Sequence, residues 1–161
     1  VAQAHLLTET LRPLGMRIIY SSPLQRALQT AEIIGRELHI PVIVNNDLIE
    51  GNFGINEGQY HKYIILTEEY KNWRNLDAEY IHFRFEGGES KYEIMQRMFA
   101  AVSALLETPE EVIGISSHSA AIRCLMLQFG LKMKRLENGA LLRLTYNDGT
   151  WSVEEICDDS E

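Results

Sequence analysis

Short apolar runs alternate with amphipathic segments along most of the chain. Three apolar stretches of strand length end in polar residues or are followed by them: residues 16–22 (MRIIYSS), 40–44 (IPVIV) and 111–117 (EVIGISS). Between and after them, apolar positions recur with the spacing of a helix that buries one face. Strands that alternate with helices in this way predict a layered α/β fold with a mainly parallel sheet.

Four segments carry the helical spacing. The first, residues 1–16, ends near Pro13 and Gly15, and the second, residues 23–39, follows the first predicted strand. Residues 90–107 form the clearest pattern and open with a capping box, Ser90-x-x-Glu93. The fourth helix is expected from about Ser119 to Phe129, stopping at Gly130.

The remaining chain is less periodic. Residues 51–89 are rich in glycine and predict irregular structure, with one short helix between Tyr60 and Trp73. Residues 140–156 predict a β-hairpin, because two strand-like runs flank the turn sequence Asn147-Asp148-Gly149.

Length and charge restrict the classes of function. A chain of 161 residues suffices for a single domain over 1–161, and its net charge of −8 argues against nucleic acid or an acidic membrane as partner. A small anionic substrate would need arginines gathered locally. Residues 1–161 show no signal-peptide pattern and no apolar run of membrane-spanning length. The two cysteines, Cys124 and Cys157, lack metal-ligand spacing, so we expect the reducing cytoplasm as location.

The turn after the first strand places a cation in an unusual position. Ser22 is suited to cap the following helix and Pro23 to its first position. Arg26 falls in the first helical turn, where the helix dipole opposes a positive charge. Two interpretations remain open: a solvated surface arginine, or an arginine that grips a phosphate with its planar fork.

Two further junctions offer complementary chemistry. His118 stands where the third strand becomes a helix, and a histidine in that position is a functional candidate rather than an ordinary core residue. Glu50 follows the second strand in a glycine-rich loop, although Glu57 in the same loop competes with it. Because the carboxyl ends of parallel strands form the ligand-binding edge of a sheet, Arg26, Glu50 and His118 together suit phosphoryl transfer.

Four motifs, in order along the chain, resemble signatures of the histidine phosphatase (phosphoglycerate mutase-like) superfamily. They are Ser21-Ser22-Pro23-Leu24-x-Arg26-Ala27-x-Gln29-Thr30-Ala31, Glu50-x-x-Phe53-Gly54-x-x-Glu57-Gly58, Gly87-Gly88-Glu89-Ser90 and Ser117-His118-x-x-x-Ile122-Arg123. The resemblance implies a three-layer sandwich in which helices flank the central sheet.

The resemblance also implies roles for individual residues. Arg26 would grip the phosphoryl group, Glu50 would act as general acid or base on the leaving oxygen, and His118 would stabilise the transferring phosphoryl group. Four residues would contact the substrate, and no metal or cofactor would be needed. The expected substrate contacts are Ser22, Phe53 and the backbone at Ser119 and Ala120.

One element of the family's pattern is absent from the sequence. The family's nucleophile is the histidine of an N-terminal Arg-His-Gly, and none of the chain's five histidines stands in that tripeptide. The chain corresponds to a domain that lacks its first strand. Either the full protein carries a preceding segment, which we expect, or the protein is a reduced, inactive relative. In addition, Ser119 replaces the glycine that usually follows the second histidine.

The segment between Gly58 and Gly87 bears on the choice between two reactions. It is shorter than the basic insertion of the mutases, and acidic residues are interspersed among its lysines and arginines. This favours a phosphatase of small phosphorylated metabolites that acts through a phosphohistidine, similar in length to the alpha-ribazole phosphatase-like and broad-specificity branch. The alternatives are a phosphoglycerate mutase and a non-catalytic phospholigand-binding or scaffold protein.

Overall fold

The computed structural model describes residues 2–59 and 61–156, so Cys157 lies outside the described residues. Within these ranges the helices are α1 (Ala2–Leu11), α2 (Gln25–Leu38), α3 (His61–Ile64), α4 (Glu68–Arg74), α5 (Lys91–Ala104) and α6 (Ser119–Leu127). The strands are β1 (Ile18–Ser21), β2 (Val42–Val44), β3 (Ile113–Ser116), β4 (Leu141–Asn147) and β5 (Thr150–Ile156).

The first three strands form a parallel sheet in the order β2-β1-β3, with helices on both faces. Because side chains alternate along a strand, the neighbours Ile19 and Tyr20 of β1 point to opposite faces. Ile19 packs with Ala31 and Ile34 of α2, while Tyr20 packs against the cluster built mainly from α5 and α6. The predicted α/β sandwich with a parallel central sheet is confirmed.

Helix starts follow local capping chemistry in one case and depart from it in another. In α5 the predicted capping box is present, since the Ser90 hydroxyl accepts from the Glu93 amide and the Glu93 carboxylate from the Ser90 amide. In α2 the predicted cap is wrong. The N-cap residue is Leu24 without a side-chain cap, because the buried Ser22 hydroxyl is engaged at the end of β1.

The single helix predicted between Tyr60 and Trp73 is two helices in the structure. The chain breaks after α3, and Thr67 caps α4 through its hydroxyl, which accepts from the amide of Tyr70. A threonine that offers its side chain to the backbone favours a new helix start over continuation. Trp73, near the end of α4, is buried. Tyr60 lies outside the described residues.

The predicted hairpin is confirmed. Strands β4 and β5 pair antiparallel, and the turn residues Asp148 and Gly149 both have positive φ, 47° and 82°, as a type I′ turn requires. The hairpin packs its Trp151 ring against Phe99 and Phe129.

Four strand edges have no partner strand within residues 2–59 and 61–156: the outer edges of β2 and β3 in one sheet and of β4 and β5 in the other. Strand β3 pairs only with β1, and β4 pairs only with β5. Beside the free edge of β3, Ile115 remains 40% exposed although it flanks Tyr20 in the sheet. None of the described helices is both long and apolar enough to cross a bilayer.

Candidate active site

The carboxyl ends of all three parallel strands meet at one place and are joined by hydrogen bonds. The His118 Nε2 and Ser22 Oγ atoms lie 2.7 Å apart, which links the end of β3 to the end of β1. The Ser117 hydroxyl donates to the carbonyl of Leu48 at 2.7 Å, which links β3 to the segment after β2. These hydrogen bonds therefore hold together the three segments that carry Arg26, Glu50 and His118, although the segments are far apart in sequence.

Ser22 supports the imidazole of His118. Its side chain is completely buried, and its Oγ also accepts from the backbone amide of Leu24 at 3.2 Å. That second contact fixes the direction of the hydroxyl that faces the imidazole. The expected contact between Ser22 and a substrate stays a prediction.

Glu50 is directed at the start of helix α6. Its Oε1 accepts from the amide of Ala121 and from its own neighbour Gly51, both at 2.9 Å. A carboxylate is favoured at a helix N-terminus, and His118 is the N-cap residue of the same helix. The competing Glu57 instead accepts from the amide of Phe53 within its own loop. Of the two carboxylates, Glu50 is the one that contacts the start of the helix whose N-cap residue is His118.

An ion pair between Arg97 of α5 and Glu89, just before that helix, holds the loop that carries Glu50. Arg97 and Glu89 pair through two contacts, of 2.8 and 2.9 Å, and both side chains are largely buried. Arg97 Nη1 also donates to the carbonyls of Asp47 and Ile49, at 2.7 and 3.0 Å. Arg97 is not among the residues predicted from the sequence, since an arginine beside a helix's apolar stripe carries no local sign of its long-range acceptors.

The loop that follows Glu50 lies against the Gly87-Gly88 segment with almost no space between the two backbones. Gly54 has a φ of +56°, and a Cβ atom there would overlap the carbonyl oxygen of Glu86 and lie 2.6 Å from the amide nitrogen of Gly88. Two signatures that are distant in sequence thus pack backbone to backbone, and only glycine fits at this contact.

We expect Gly54→Ala to lower the free energy of unfolding by roughly 2–4 kcal/mol, because it adds a backbone clash to the cost of positive φ. Gly58→Ala is the matched control: φ is +74° and no atom of the described residues lies within 4 Å of the added Cβ. Its expected cost is about 1 kcal/mol. Urea unfolding of both variants measures the difference, and equal costs would contradict the close packing of the two loops.

His118 is buried beside a positive charge. Burial, and secondarily the charge of Arg26, lowers the pKa of His118 from 6.5 to about 4. The imidazole is therefore neutral at pH 7. Arg26 itself is exposed, and its side chain has no hydrogen bond or ion pair with any residue in the described ranges. An anion bound beside both groups would reverse the effect and favour the imidazolium.

The lowered pKa of His118 predicts acid sensitivity. Below pH 6.5 the unfolded chain protonates this histidine while the folded chain does not, down to about pH 4. The free energy of unfolding should thus fall by about 1–2 kcal/mol more in the wild type than in His118→Gln between pH 7 and 5. His82→Gln, at an exposed position, is the control. Denaturant titrations at both pH values test this, and parallel curves for wild type and His118→Gln would contradict it.

The other expected substrate contacts lie around the start of α6. Ser119 and Ala120 are its first two residues and are half-buried. Phe53 packs edge-on against the ring of Trp73, with centroids 4.8 Å apart. Ala120 lines a narrow cavity together with Trp73. The structure brings these residues to the same region, and their contact with a substrate stays a prediction.

Chemically, the site combines the Arg26 guanidinium, which has no partner among the described residues, with a neutral imidazole, a carboxyl group and a helix N-terminus. The guanidinium, the imidazole and the helix N-terminus favour a bound oxyanion. The carboxyl group is able to exchange a proton with an adjacent oxygen. The expectation that no metal takes part stays a prediction.

The chain is similar to known proteins over nearly its whole length. The sequence profile of the histidine phosphatase superfamily (branch 1) matches residues 1–159. A curated relative from Yersinia pestis (strain Pestoides F), described as probable phosphoglycerate mutase GpmB, is 33% identical over 159 residues, which cover 94% of this chain and 73% of that protein.

Solved structures share the fold at lower identity. The alpha-ribazole phosphatase from Shigella flexneri superposes with a TM-score of 0.77 at 23% identity, covering 96% of this chain and 80% of that one. A mycobacterial glucosyl-3-phosphoglycerate phosphatase, solved as a complex with VO3, gives a TM-score of 0.79 at 21% identity, covering 99% and 84%. These similarities support the phosphoglycerate mutase-like fold.

Proposed function

The chain belongs to the histidine phosphatase superfamily, and on that premise we propose that the protein is a metal-independent hydrolase of small phosphomonoesters that acts through a phosphohistidine. The observation that carries the proposal is that Glu50 contacts the start of the helix whose N-cap residue is His118, while the charge of Arg26 acts on that histidine. The same proposal places the enzyme in the cytoplasm, with neither nucleic acid nor membrane as partner.

The proposed reaction has two steps. In the first, a nucleophilic imidazole nitrogen attacks phosphorus, the P–O bond to the substrate's alcohol breaks, and Glu50 gives its proton to the departing oxygen. In the second, the Glu50 carboxylate takes a proton from water, the water oxygen attacks phosphorus, and the N–P bond breaks to release inorganic phosphate. Arg26 and His118 stabilise the charge on the transferring group in both steps.

The nucleophile is not assigned to any of the five histidines in the sequence. We expect it on a preceding Arg-His-Gly segment of the full protein, as a strand alongside the free edge of β3. A parallel strand in that position would end beside His118, because parallel strands bring their carboxyl ends to the same edge of the sheet.

The full-length protein tests the proposal. Intact mass and N-terminal sequencing establish whether Arg-His-Gly precedes Val1, and p-nitrophenyl phosphate is then assayed with EDTA present. We expect turnover that EDTA does not reduce. A crystal soaked with vanadate or tungstate should hold the anion within hydrogen-bond distance of Arg26 and His118. A complete chain without turnover, or an anion bound elsewhere, would overturn the proposal and favour a non-catalytic phospholigand-binding role.

A second candidate function is phosphoglycerate mutase, which the description of the Yersinia relative favours. The two reactions differ in product: a phosphatase releases inorganic phosphate from 3-phosphoglycerate, and a mutase returns 2-phosphoglycerate. Phosphorus NMR of one reaction mixture distinguishes them. We expect inorganic phosphate as the main product.

A further inference from the structure

Glu50 stands in a loop rather than in a strand or an α-helix. Strand β2 ends at Val44, and after one short 3-10 turn, Asn46–Leu48, the backbone is irregular at Glu50. The Glu50 Oε1 accepts from the amides of Gly51 and Ala121, and Gly51 is its immediate neighbour in the chain. Of these two contacts, only the one with Ala121 reaches another element. The placement of the carboxyl group therefore depends on what holds the backbone on either side of Glu50.

The guanidinium of Arg97 holds the backbone that precedes Glu50. Its Nη1 donates to the carbonyls of Asp47 and Ile49, at 2.7 and 3.0 Å. The carbonyl of Leu48, which lies between these two in the chain, accepts from a serine hydroxyl just after β3. Three consecutive carbonyls are thus bound immediately before Glu50, and Arg97 binds the outer two.

Glu89 holds the backbone that follows Glu50. Its Oε2 accepts from the amide of Asn52 at 2.9 Å, and its own amide donates to the carbonyl of Asn52 at 2.8 Å. The same carboxylate accepts from Nε and Nη2 of Arg97. The side chains of Arg97 and Glu89 are 17% and 24% exposed. They form one unit that grips the loop on both sides of Glu50.

This unit requires the planar fork of an arginine. The Nε and Nη2 atoms of Arg97 serve Glu89 while Nη1 serves the two backbone carbonyls, a division that the compact ammonium of a lysine cannot reproduce. A largely buried ion pair contributes little net stability compared with apolar residues of the same volume. Its main effect is instead to fix the directions of the groups that it binds.

From this arrangement we propose that Arg97 and Glu89 are positioning residues for proton transfer by Glu50. The pair holds the loop so that the carboxyl group faces the oxygen of the departing alcohol, and it takes no direct part in the reaction. Because a misplacement of about 1 Å is able to lower a rate by roughly 10²-fold, the pair affects the step in which Glu50 moves a proton. The inference rests on the proposed phosphatase function for the reaction it affects.

Arg97→Met in the full-length protein tests the proposal. We expect kcat/KM for glycerol 3-phosphate, an alkyl ester, to fall roughly 10- to 100-fold. The value for p-nitrophenyl phosphate should stay within about threefold, because nitrophenolate departs with little protonation. Arg143→Met is the matched control, since Arg143 forms an exposed ion pair with Glu154 across the β4–β5 hairpin, and neither value should change. Equal losses on both esters in Arg97→Met would indicate a general structural role and overturn the proposal.

A double variant separates positioning from folding. Arg97→Met leaves the Glu89 carboxylate largely buried without its partner, whereas Arg97→Met with Glu89→Met removes both charges and keeps most of the volume. We expect urea unfolding of the double variant to match the wild type within about 1 kcal/mol of added stability or loss. It should show the same loss confined to glycerol 3-phosphate. A folded double variant with wild-type kinetics on both esters would overturn the proposal.

Combination with Glu50→Gln tests whether the pair acts through Glu50. Once residue 50 has no proton to give, its exact position no longer matters for the departing alcohol. Adding Arg97→Met to Glu50→Gln should therefore lower kcat/KM for glycerol 3-phosphate by no more than about twofold further. Losses that multiply in the combined variant would show that Arg97 acts independently of Glu50, which contradicts the proposal.

Hydrogen exchange tests the positioning even if the phosphatase function fails. Ala121 lies in the first turn of α6, where amides lack intrahelical acceptors, and its amide donates to Glu50. The next amide, that of Ile122, donates to the carbonyl of His118 and serves as the internal control. In Arg97→Met, NMR should detect exchange that is roughly tenfold or more faster at Ala121 and little changed at Ile122.

The exchange result distinguishes the two hypotheses. A selective increase at Ala121 in a protein without turnover would support the placement of Glu50 by Arg97 and Glu89 although the phosphatase function had failed. Unchanged exchange at Ala121, or an equal increase at Ala121 and Ile122, would overturn the positioning role whether or not the protein is a phosphatase.

Discussion

Replacing Glu50 by glutamine should lower kcat/KM for an alkyl phosphate such as glycerol 3-phosphate by about 10²–10⁴-fold. The amide oxygen of glutamine is still able to accept from the amides of Gly51 and Ala121, so the side chain keeps its position at the start of α6. What it loses is the proton for the departing alkoxide.

The choice of leaving group tests the assigned role. The p-nitrophenolate ion is a stable leaving group that needs little protonation, so kcat/KM for p-nitrophenyl phosphate should fall by about tenfold or less in Glu50→Gln. The kcat for the same substrate should fall further, since hydrolysis of the phosphohistidine still requires a base.

Glu57→Gln is the control, because this residue lies in the same loop and its amide oxygen would still accept from the amide of Phe53. It should leave the kinetics of both substrates within about twofold. Equal losses in Glu50→Gln for the alkyl and aryl esters would contradict proton donation by Glu50.

Removing the guanidinium of Arg26 should lower kcat/KM by roughly 10²–10³-fold for every substrate, including p-nitrophenyl phosphate. Arg26 would bind the transferring group itself rather than the leaving group, so the loss should not depend on the leaving group. Arg26→Lys should recover only a small part, because an ammonium lacks the planar fork that binds two phosphate oxygens together.

A second measurement on Arg26→Ala does not depend on turnover. The charge of Arg26 contributes to the lowered pKa of His118, so NMR titration should find that pKa higher in the variant. Burial remains, so it should still lie below 6.5. Arg36→Ala, an exposed arginine at the other end of α2, is the control for both measurements. An unchanged His118 pKa in Arg26→Ala would place the two groups too far apart to share one anion.

Local chemistry explains which parts of the fold were predictable. The α5 capping box and the Asp148-Gly149 turn act through neighbouring residues, so their geometry follows from a few consecutive side chains. The break at Thr67 also has a local cause. It was missed because the apolar spacing across residues 60–73 obscured a second cap.

The convergence of the three candidate residues was predictable because a strand-to-helix or strand-to-loop junction marks each of them. Arg26, Glu50 and His118 each stand after a strand, and parallel strands bring such positions to one edge. By contrast, the acceptors of Arg97 come from residues about fifty positions away, and nothing near Arg97 in the sequence points to them. For Ser22 the prediction was partly wrong. It was expected to cap α2, but Leu24 is the N-cap residue and the Ser22 hydroxyl contacts His118.

The free edges of β3 and β4 also affect how molecules of this chain meet in solution. An unpaired strand presents a row of amides and carbonyls that recruits another strand as readily from a second molecule as from its own. With Ile115 exposed beside such a row, self-association that grows with concentration is expected of residues 2–156 in isolation. Light scattering with and without a strand-forming peptide tests this, and we expect less aggregation when the peptide pairs with the free edge of β3. Solubility would then measure whether that edge is occupied.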